Sequence, residues 1–305
     1  MRLLVIGSVN MDLVVRVDHV PVPGENVRGE ALEMIPGGKG ANQAVACARL
    51  GAETTLLARV GDDPFGRRLL EELAGAGVRT DAVRAVDGCA SGAAMILVEA
   101  GGENSIVITP GANGRLGPGD VDAERALVAG ADAVVLQLEI PADTVGRAIR
   151  LAREVATPTV VDAGPPRRPV DAAVLEADVL TPNEAEAAAL LGLEPGARSP
   201  EDLARMLLER GPGAVVVKAG AAGAVVAEPG RLQRVPAFRI DPVDTTAAGD
   251  AFTAALAVAV VEGTDLVEAA RRANAAGALA ATRRGAQPSM PTAEEVAAFL
   301  AERAG

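Results

Sequence analysis

Apolar runs of strand length recur along the chain, at residues 3–6, 55–58, 133–138, 159–161, 179–180 and 214–217. They are short and nearly continuous, as expected of strands covered on both faces. Between them lie stretches of helical periodicity, at 41–50, 64–76, 142–155 and 200–210. Strand–helix alternation of this kind predicts βαβ units, and so an α/β fold with a central, mostly parallel sheet flanked by helices. Two segments break the rhythm. Residues 13–17 alternate apolar and charged, and Pro21, Pro23 and Gly24 then lead to a further extended piece near 27–35. Residues 93–98 and 105–109 flank Gly101-Gly102-Glu103-Asn104, which reads as a hairpin. Neither segment contains a crossover helix. Both are expected as strands set away from the main sheet, forming a small β-sheet lid from about 12–36 and 91–110. The last third returns to helices at 249–261, 266–282 and 293–301. No linker or repeat stands out, so the expectation is one domain over 1–305 with the lid as an appendage.

Composition narrows the chemistry. With 29 Lys+Arg against 41 Asp+Glu the net charge is −12, opposite to the basic footprint of nucleic-acid and anionic-membrane binders. The single histidine, His19, lies in a Pro-rich turn, so a His-ligated metal site or a Ser-His-Asp triad has almost nothing to draw on. Two cysteines, Cys47 and Cys89, suggest a reducing compartment rather than a disulfide framework. There is no Trp or Tyr, and only four Phe, so base-stacking platforms are scarce. The first seven residues are too short an apolar run for a signal peptide, and the longest later run, near 251–261, falls short of the ~20 residues of a membrane span. A cytoplasmic protein is expected.

Five motifs carry candidate chemistry. Gly37-Gly38-Lys39-Gly40-Ala41-Asn42 is neither a P-loop nor a dinucleotide fingerprint, since Glu33 and Gln43 stand where glycines belong and no clean strand-to-helix turn is evident before it. It reads either as a Gly-rich turn into a helix, or as a close backbone approach at Gly38 with Lys39 and Asn42 as donors to a polar ligand. In Asp244-Thr245-Thr246-Ala247-Ala248-Gly249-Asp250, small residues lead into an apolar helix starting near Gly249. The N–H groups of Ala247, Ala248 and Gly249 would form an anion hole without side chains. Asp250 is then either a dipole-satisfying acid or a general base beside a phosphate. Asn183 and Glu186, in Thr181-Pro182-Asn183-Glu184-Ala185-Glu186, fit a capping box, or a pair serving a hydrated Mg²⁺ and phosphate. Lys218-Ala219-Gly220-Ala221-Ala222-Gly223 reads as a turn, or as a bare ledge for a flat nucleotide. Asn10, Asp12 and Glu139 follow strands, at the rim where open sheets bind ligands, and are suited to sugar hydroxyls or to turn capping.

Together these stretches resemble the PfkB-type, or ribokinase, family of carbohydrate kinases. The likeness runs in order through Gly7–Asp12, Gly38–Gln43, Gly61-Asp62-Asp63, Gly101–Asn104, Gly111-Ala112-Asn113, Gln137-Leu138-Glu139, Thr181–Glu184, Val243–Phe252 and Thr282–Ser289. It implies ATP-dependent phosphorylation of the 5-hydroxyl of D-ribose, with Mg²⁺ and a monovalent cation, usually K⁺. It also implies a homodimer clasped through the lid. By resemblance, Asn10, Asp12, Gly38, Lys39, Asn42 and Glu139 touch the sugar, and Asp250 is the base. Asn183, Glu186, Lys218, Gly220, Gly223, Gly249 and Asn274 fall on the nucleotide and phosphate side. Asp244, Thr246, Ala280, Arg283, Gly285 and Ser289 match the monovalent-cation site, several through backbone carbonyls. Three positions depart from the family pattern: Lys218 in place of a frequent Thr, Asn274 in place of a common His, and Asp162-Ala163-Gly164-Pro165 in place of Asn-Pro-Ala-Pro. Rival readings are a family kinase acting on fructose, a keto-deoxy sugar acid or a nucleoside, and a non-catalytic sugar-binding protein. The latter is disfavoured because binding alone needs no base; a nicotinamide oxidoreductase is disfavoured by the missing GxGxxG.

Overall fold

A computed structural model describes residues 1–101, 103–165 and 172–303. In chain order the strands are β1 (Arg2–Ile6), β2 (Asn10–Val17), β3 (Leu32–Gly37), β4 (Glu53–Gly61), β5 (Val83–Val86), β6 (Gly92–Glu99), β7 (Asn104–Thr109), β8 (Ala133–Leu136), β9 (Thr159–Val161), β10 (Val179–Leu180), β11 (Ala214–Lys218), β12 (Ala224–Glu228) and β13 (Arg231–Val235). The helices are α1 (Lys39–Arg49), α2 (Pro64–Gly75), α3 (Pro118–Ala123), α4 (Arg125–Gly130), α5 (Ala142–Glu154), α6 (Glu184–Leu191), α7 (Pro200–Leu208), α8 (Ala248–Val261), α9 (Leu266–Ala281) and α10 (Ala293–Glu302).

The main sheet has nine strands in the order β13-β12-β11-β10-β9-β8-β1-β4-β5. All its pairings are parallel except β11–β12 and β12–β13. Period-2 alternation explains why its apolar runs are continuous: Leu3 and Val5 enter the core on one face, Leu4 and Ile6 that on the other. The first core includes α1, α8 and α9, and is filled largely by alanine and valine; the second includes α5, α6 and α7. The antiparallel edge was not evident in the sequence. β13 is exposed at four of its five residues and lacks an apolar stripe.

The lid is a separate four-stranded sheet, β3-β2-β6-β7, as the two interrupting segments suggest. β2 and β6 run parallel at its centre, with antiparallel partners outside. Its edge strand β3 begins at Leu32, later than the extended piece expected near 27–35. Gly102, between β6 and β7 in the sequence, lies outside the described residues.

One correction concerns the Gly-rich motif. A strand-to-helix turn does precede α1: β3 ends at Gly37 and the helix begins at Lys39. The turn consists of Gly38, whose φ of +89° and 2.8 Å approach of an ideal Cβ to the Asn10 nitrogen leave no place for a side chain. Gly40 is constrained by packing instead, since a Cβ there would stand 2.5 Å from the Ser8 nitrogen.

Candidate active site

β1 and β8 lie side by side in parallel, yet the chain leaves them in opposite directions, to β4 on one side and β9 on the other. Such a switch point opens a crevice at the carboxyl ends of the strands. Asn10, Glu139, Asp162, Asn183 and Lys218 all lie at or just beyond strand ends on this rim, and the N-termini of α1 and α8 meet there.

Asp250 occupies the first turn of α8 and is buried. Two neighbouring α1 side chains hold its carboxylate. Asn42 Nδ2 donates to Oδ2 at 2.9 Å, and Gln43 Nε2 donates to Oδ1 at 3.0 Å. Lys39 Nζ stands 3.5 Å from Oδ1. Gln43 also donates to Asp162 and accepts from Gln137, so a chain of amides fixes the acid from behind. The sequence marked Lys39 and Asn42 as donors to a ligand. Here those donors face carboxylates, and it is Asn42 Oδ1 that is buried without a partner among the described residues.

Glu139 Oε2 accepts from Ser8 Oγ at 2.5 Å and from the Lys39 N–H at 3.0 Å. Asn10 Oδ1 is held by Asn113 Nδ2 at 2.7 Å. Asp12 has no hydrogen-bond donor among the described residues. Burial, then the charges of Glu139 and Asp250, push its carboxyl up to about 7. Burial pulls the Lys39 ammonium down, but Asp162 and Asp250 outweigh it and keep the group charged.

The mouth of α8 differs in detail from the expectation. The helix starts at Ala248, whose N–H donates to the Thr245 carbonyl at 3.2 Å and is therefore not free. The N–H groups of Ala247 and Gly249 have no acceptor among the described residues. Ala247 adopts a left-handed conformation, φ +58°, which forms the corner at this mouth.

At the positions expected on the nucleotide side, the capping and packing readings are largely realised. Asn183 and Glu186 form a complete capping box, at 2.8 and 2.7 Å. Glu186 Oε1 accepts no hydrogen bond among the described residues. Burial raises its pKa; Lys218 opposes that rise and Asp162 adds to it. Gly223 is required by packing, because a Cβ would lie 2.1 Å from the Val235 carbonyl oxygen. Gly220 faces open space. Asn274 donates to the carbonyls of Val235 and Pro236 at 3.2 and 3.1 Å.

The six positions matched to a cation site fall in the loop before α8, in the last turn of α9 and in the segment that follows it. Asp244 accepts the N–H groups of Thr246 and Gly285, both at 2.9 Å, and Ala281 receives the N–H groups of Val243 and Asp244. The Arg283 guanidinium pairs with Glu295, Ser289 Oγ donates to the Ala286 carbonyl, and the Ala280 carbonyl accepts the Arg283 N–H. Among the described residues no cluster of three His, Cys, Asp or Glu is arranged to hold a metal, so any cation here would be held largely by backbone oxygens.

Sequence reasoning missed Gln43, Asn113 and Gln137 as support, and Asp162 as the centre of the charge network. Asp162 was marked only as a departure from the family pattern. Its contacts to Lys39 and Lys218 join residues far apart in the chain.

The family description "pfkB family carbohydrate kinase" matches residues 1–293. A ribokinase of Bacillus subtilis (strain 168) is 40% identical over 299 residues, covering 98% of this chain and 99% of the relative. A deoxyribokinase of Salmonella typhi is 34% identical over 308 residues, covering 98% and 99%. The solved structure of Arabidopsis thaliana ribokinase complexed with ribose and ATP is similar at a TM-score of 0.91 and 34% identity, covering 98% of each chain. By its family match and its full-length relatives, the chain belongs to the pfkB family of carbohydrate kinases.

Proposed function

We propose that this kinase transfers the γ-phosphoryl group of ATP to the 5-hydroxyl of D-ribose. The observation that carries the reading is Asp250, a buried carboxylate fixed by Asn42 and Gln43 beside the free Gly249 N–H. The acceptor pocket suits a polyol. Asp12 offers an unpartnered carboxylate, Asn42 an unpartnered buried carbonyl oxygen and Glu139 a carboxylate at the same rim. Relatives named ribokinase, and the neighbour bound to ribose and ATP, support the substrate pair.

In the proposed step Asp250 accepts the hydroxyl proton. The sugar oxygen bonds to the γ-phosphorus as the bond to the ADP oxygen breaks. The N–H groups of Ala247 and Gly249 stabilise charge on the transferring group. Magnesium travels with the nucleotide; Glu186, with one oxygen uncommitted, suits its water shell. An alkali cation would suit the oxygen-only set around Asp244 and the carbonyls of Thr246, Ala280 and Arg283. These loops flank the corner at Ala247, so the cation would act by fixing the mouth of α8.

Three further expectations join this reading. The lid exposes Met95, Ile106, Val107 and Ile108, an apolar surface suited to a second copy of the chain. The lid and main sheet are read as one domain. A cytoplasmic location accords with the free thiols of Cys47 and Cys89; no described helix is long and apolar enough to cross a membrane.

The test is ADP release from Mg-ATP with D-ribose, 2-deoxyribose, fructose, keto-deoxygluconate and adenosine, each in K⁺ and in Na⁺. The reading predicts the highest kcat/KM on D-ribose, enhanced by K⁺. Preference for 2-deoxyribose would move the protein toward its deoxyribokinase relatives. Turnover on no acceptor would overturn the assignment.

A further inference from the structure

Asn113 is buried in the short 3₁₀ turn Gly111–Arg115, where the chain returns from the lid to the main body. Its side chain reaches back to Val9 and Asn10, where the chain first enters the lid. Asn113 Oδ1 accepts the Val9 N–H at 2.9 Å, and Nδ2 donates to the Val9 carbonyl at 3.1 Å. The second Nδ2 proton goes to Asn10 Oδ1 at 2.7 Å. Both donors of this amide are therefore spent inside the protein.

These contacts fix more than a position. A backbone N–H can only donate and a carbonyl can only accept, so Val9 allows one orientation of the Asn113 amide. With Nδ2 turned toward Asn10, the atom that meets it must be an oxygen. The polarity of Asn10 is thus set from the backbone outward. Its Oδ1 is spent on Asn113, while its Nδ2 donates to no group among the described residues. The chain makes room for this contact at Gly92, which stands opposite Asn10 on β6. A Cβ there would lie 2.1 Å from Asn113 Nδ2 and 2.3 Å from Asn10 Oδ1. Asn10 and Asp12 share a face of β2 by its period of two. One offers N–H groups and the other a carboxylate without a donor, a pair matched to the hydroxyls of a polyol.

We propose that Asn113 is a positioning residue for the acceptor sugar, which acts by making Asn10 a donor only. On this view Asn10 reads the lone pair of a sugar hydroxyl. Without Asn113 its amide is free to turn, and sugar binding must order it again. The inference rests on the kinase reading of the sugar pocket and concerns no part of the nucleotide side.

Hydrogen exchange of the side-chain amides, read from nitrogen–proton correlation spectra, tests the polarity in the sugar-free protein. The Asn113 amide protons should exchange slowly and those of Asn10 fast. Slow exchange at Asn10, or fast exchange at Asn113, would overturn the proposal. Kinetics test the consequence, on the acceptor with the highest kcat/KM. Asn113→Ala should raise the KM for sugar about tenfold, with kcat and the KM for ATP within about twofold. Asn10→Asp keeps an oxygen toward Asn113 but removes the donor, and should raise the KM for sugar at least as much. Adding Asn113→Ala to Asn10→Ala should change that KM by less than about twofold, because the side chain it positions is already gone. A fall in kcat with the sugar KM unchanged, or equal rises in both KM values, would show a merely structural role and sink the idea. A wild-type sugar KM in Asn10→Asp, or multiplicative effects in the double variant, would do the same. Should Asn113→Ala fail to fold, the exchange measurement and Asn10→Asp still decide. Turnover on no acceptor would overturn the kinase reading and leave the exchange readout intact, so the two fail separately.

Discussion

Two helix N-termini face the same crevice and are built in opposite ways. At α1 the protein satisfies its own donors: the Lys39 N–H goes to Glu139, that of Gly40 to Ser8 Oγ, that of Ala41 to the Ser8 carbonyl and that of Asn42 to the Gly38 carbonyl. At α8 the Ala247 and Gly249 N–H groups are left without acceptors among the described residues. Orphan donors of a helix start are normally capped by a side chain, as Asn183 caps α6. The closed terminus is a scaffold, which presents Lys39, Asn42 and Gln43 in fixed positions. On the proposed mechanism, the open one is a receptor for charge that is present only when substrate is bound. The difference separates preorganisation of the acceptor and base from stabilisation of the transferring phosphoryl group.

Substitutions break or sharpen that contrast with effects of decreasing size. Asp250→Ala removes the proposed base at the open terminus and should lower kcat by about 10²–10⁴. Steady-state ADP release measures this, with circular dichroism unchanged. Glu139→Gln takes the acid from the closed terminus. With one acceptor oxygen in place of two, the amide should raise the KM for sugar about tenfold and leave the KM for ATP nearly unchanged. Gly40→Ala forces a methyl against the backbone of Gly7 and Ser8 and should cost about 1–3 kcal/mol in thermal or denaturant unfolding. A stability loss here, against a rate loss at Asp250, is what scaffold and receptor predict.

A pH effect acts on stability as well. Asp12 has a folded pKa raised from 3.8 to about 7, so the folded chain holds this proton more tightly than the unfolded one. The stability it contributes is full below about pH 4 and lost as pH rises through 7. Asp12→Asn cannot ionise and should flatten the fall in melting temperature between about pH 5 and 8 in the sugar-free protein. The smallest effect belongs to Asn274→Ala. Its loss of two bonds to backbone carbonyls should cost about 1 kcal/mol in unfolding. Since its amide nitrogen is spent on Val235 and Pro236, ATP affinity should change by less than about threefold.

What the sequence disclosed follows from the same physics. The parallel strands were legible because burial on both faces gives continuous apolar runs such as Val215, Val216 and Val217. The lid was legible because alternation replaced helical periodicity. β13, exposed on most of its length, carries no such signal. In the site, Asp250 and its small-residue approach were visible as a motif, since helix start and anion mouth are local features. Gln43, Gln137 and Asp162 were not, because their roles exist only through contacts across about a hundred residues of chain, such as Gln137 to Gln43 and Gln43 to Asp162. The reverse holds for Ala248: a local reading left its N–H free, whereas the turn at Ala247 directs it to Thr245.

The most direct test of phosphoryl transfer to the 5-hydroxyl of ribose is the position of the phosphate in the product. Phosphorus–proton correlation NMR of the reaction with Mg-ATP and D-ribose reports it. The account predicts a single ester coupled to the C5 methylene protons, formed by the wild type and essentially absent with Asp250→Ala. An ester at another carbon, or equal product from the variant, would contradict it.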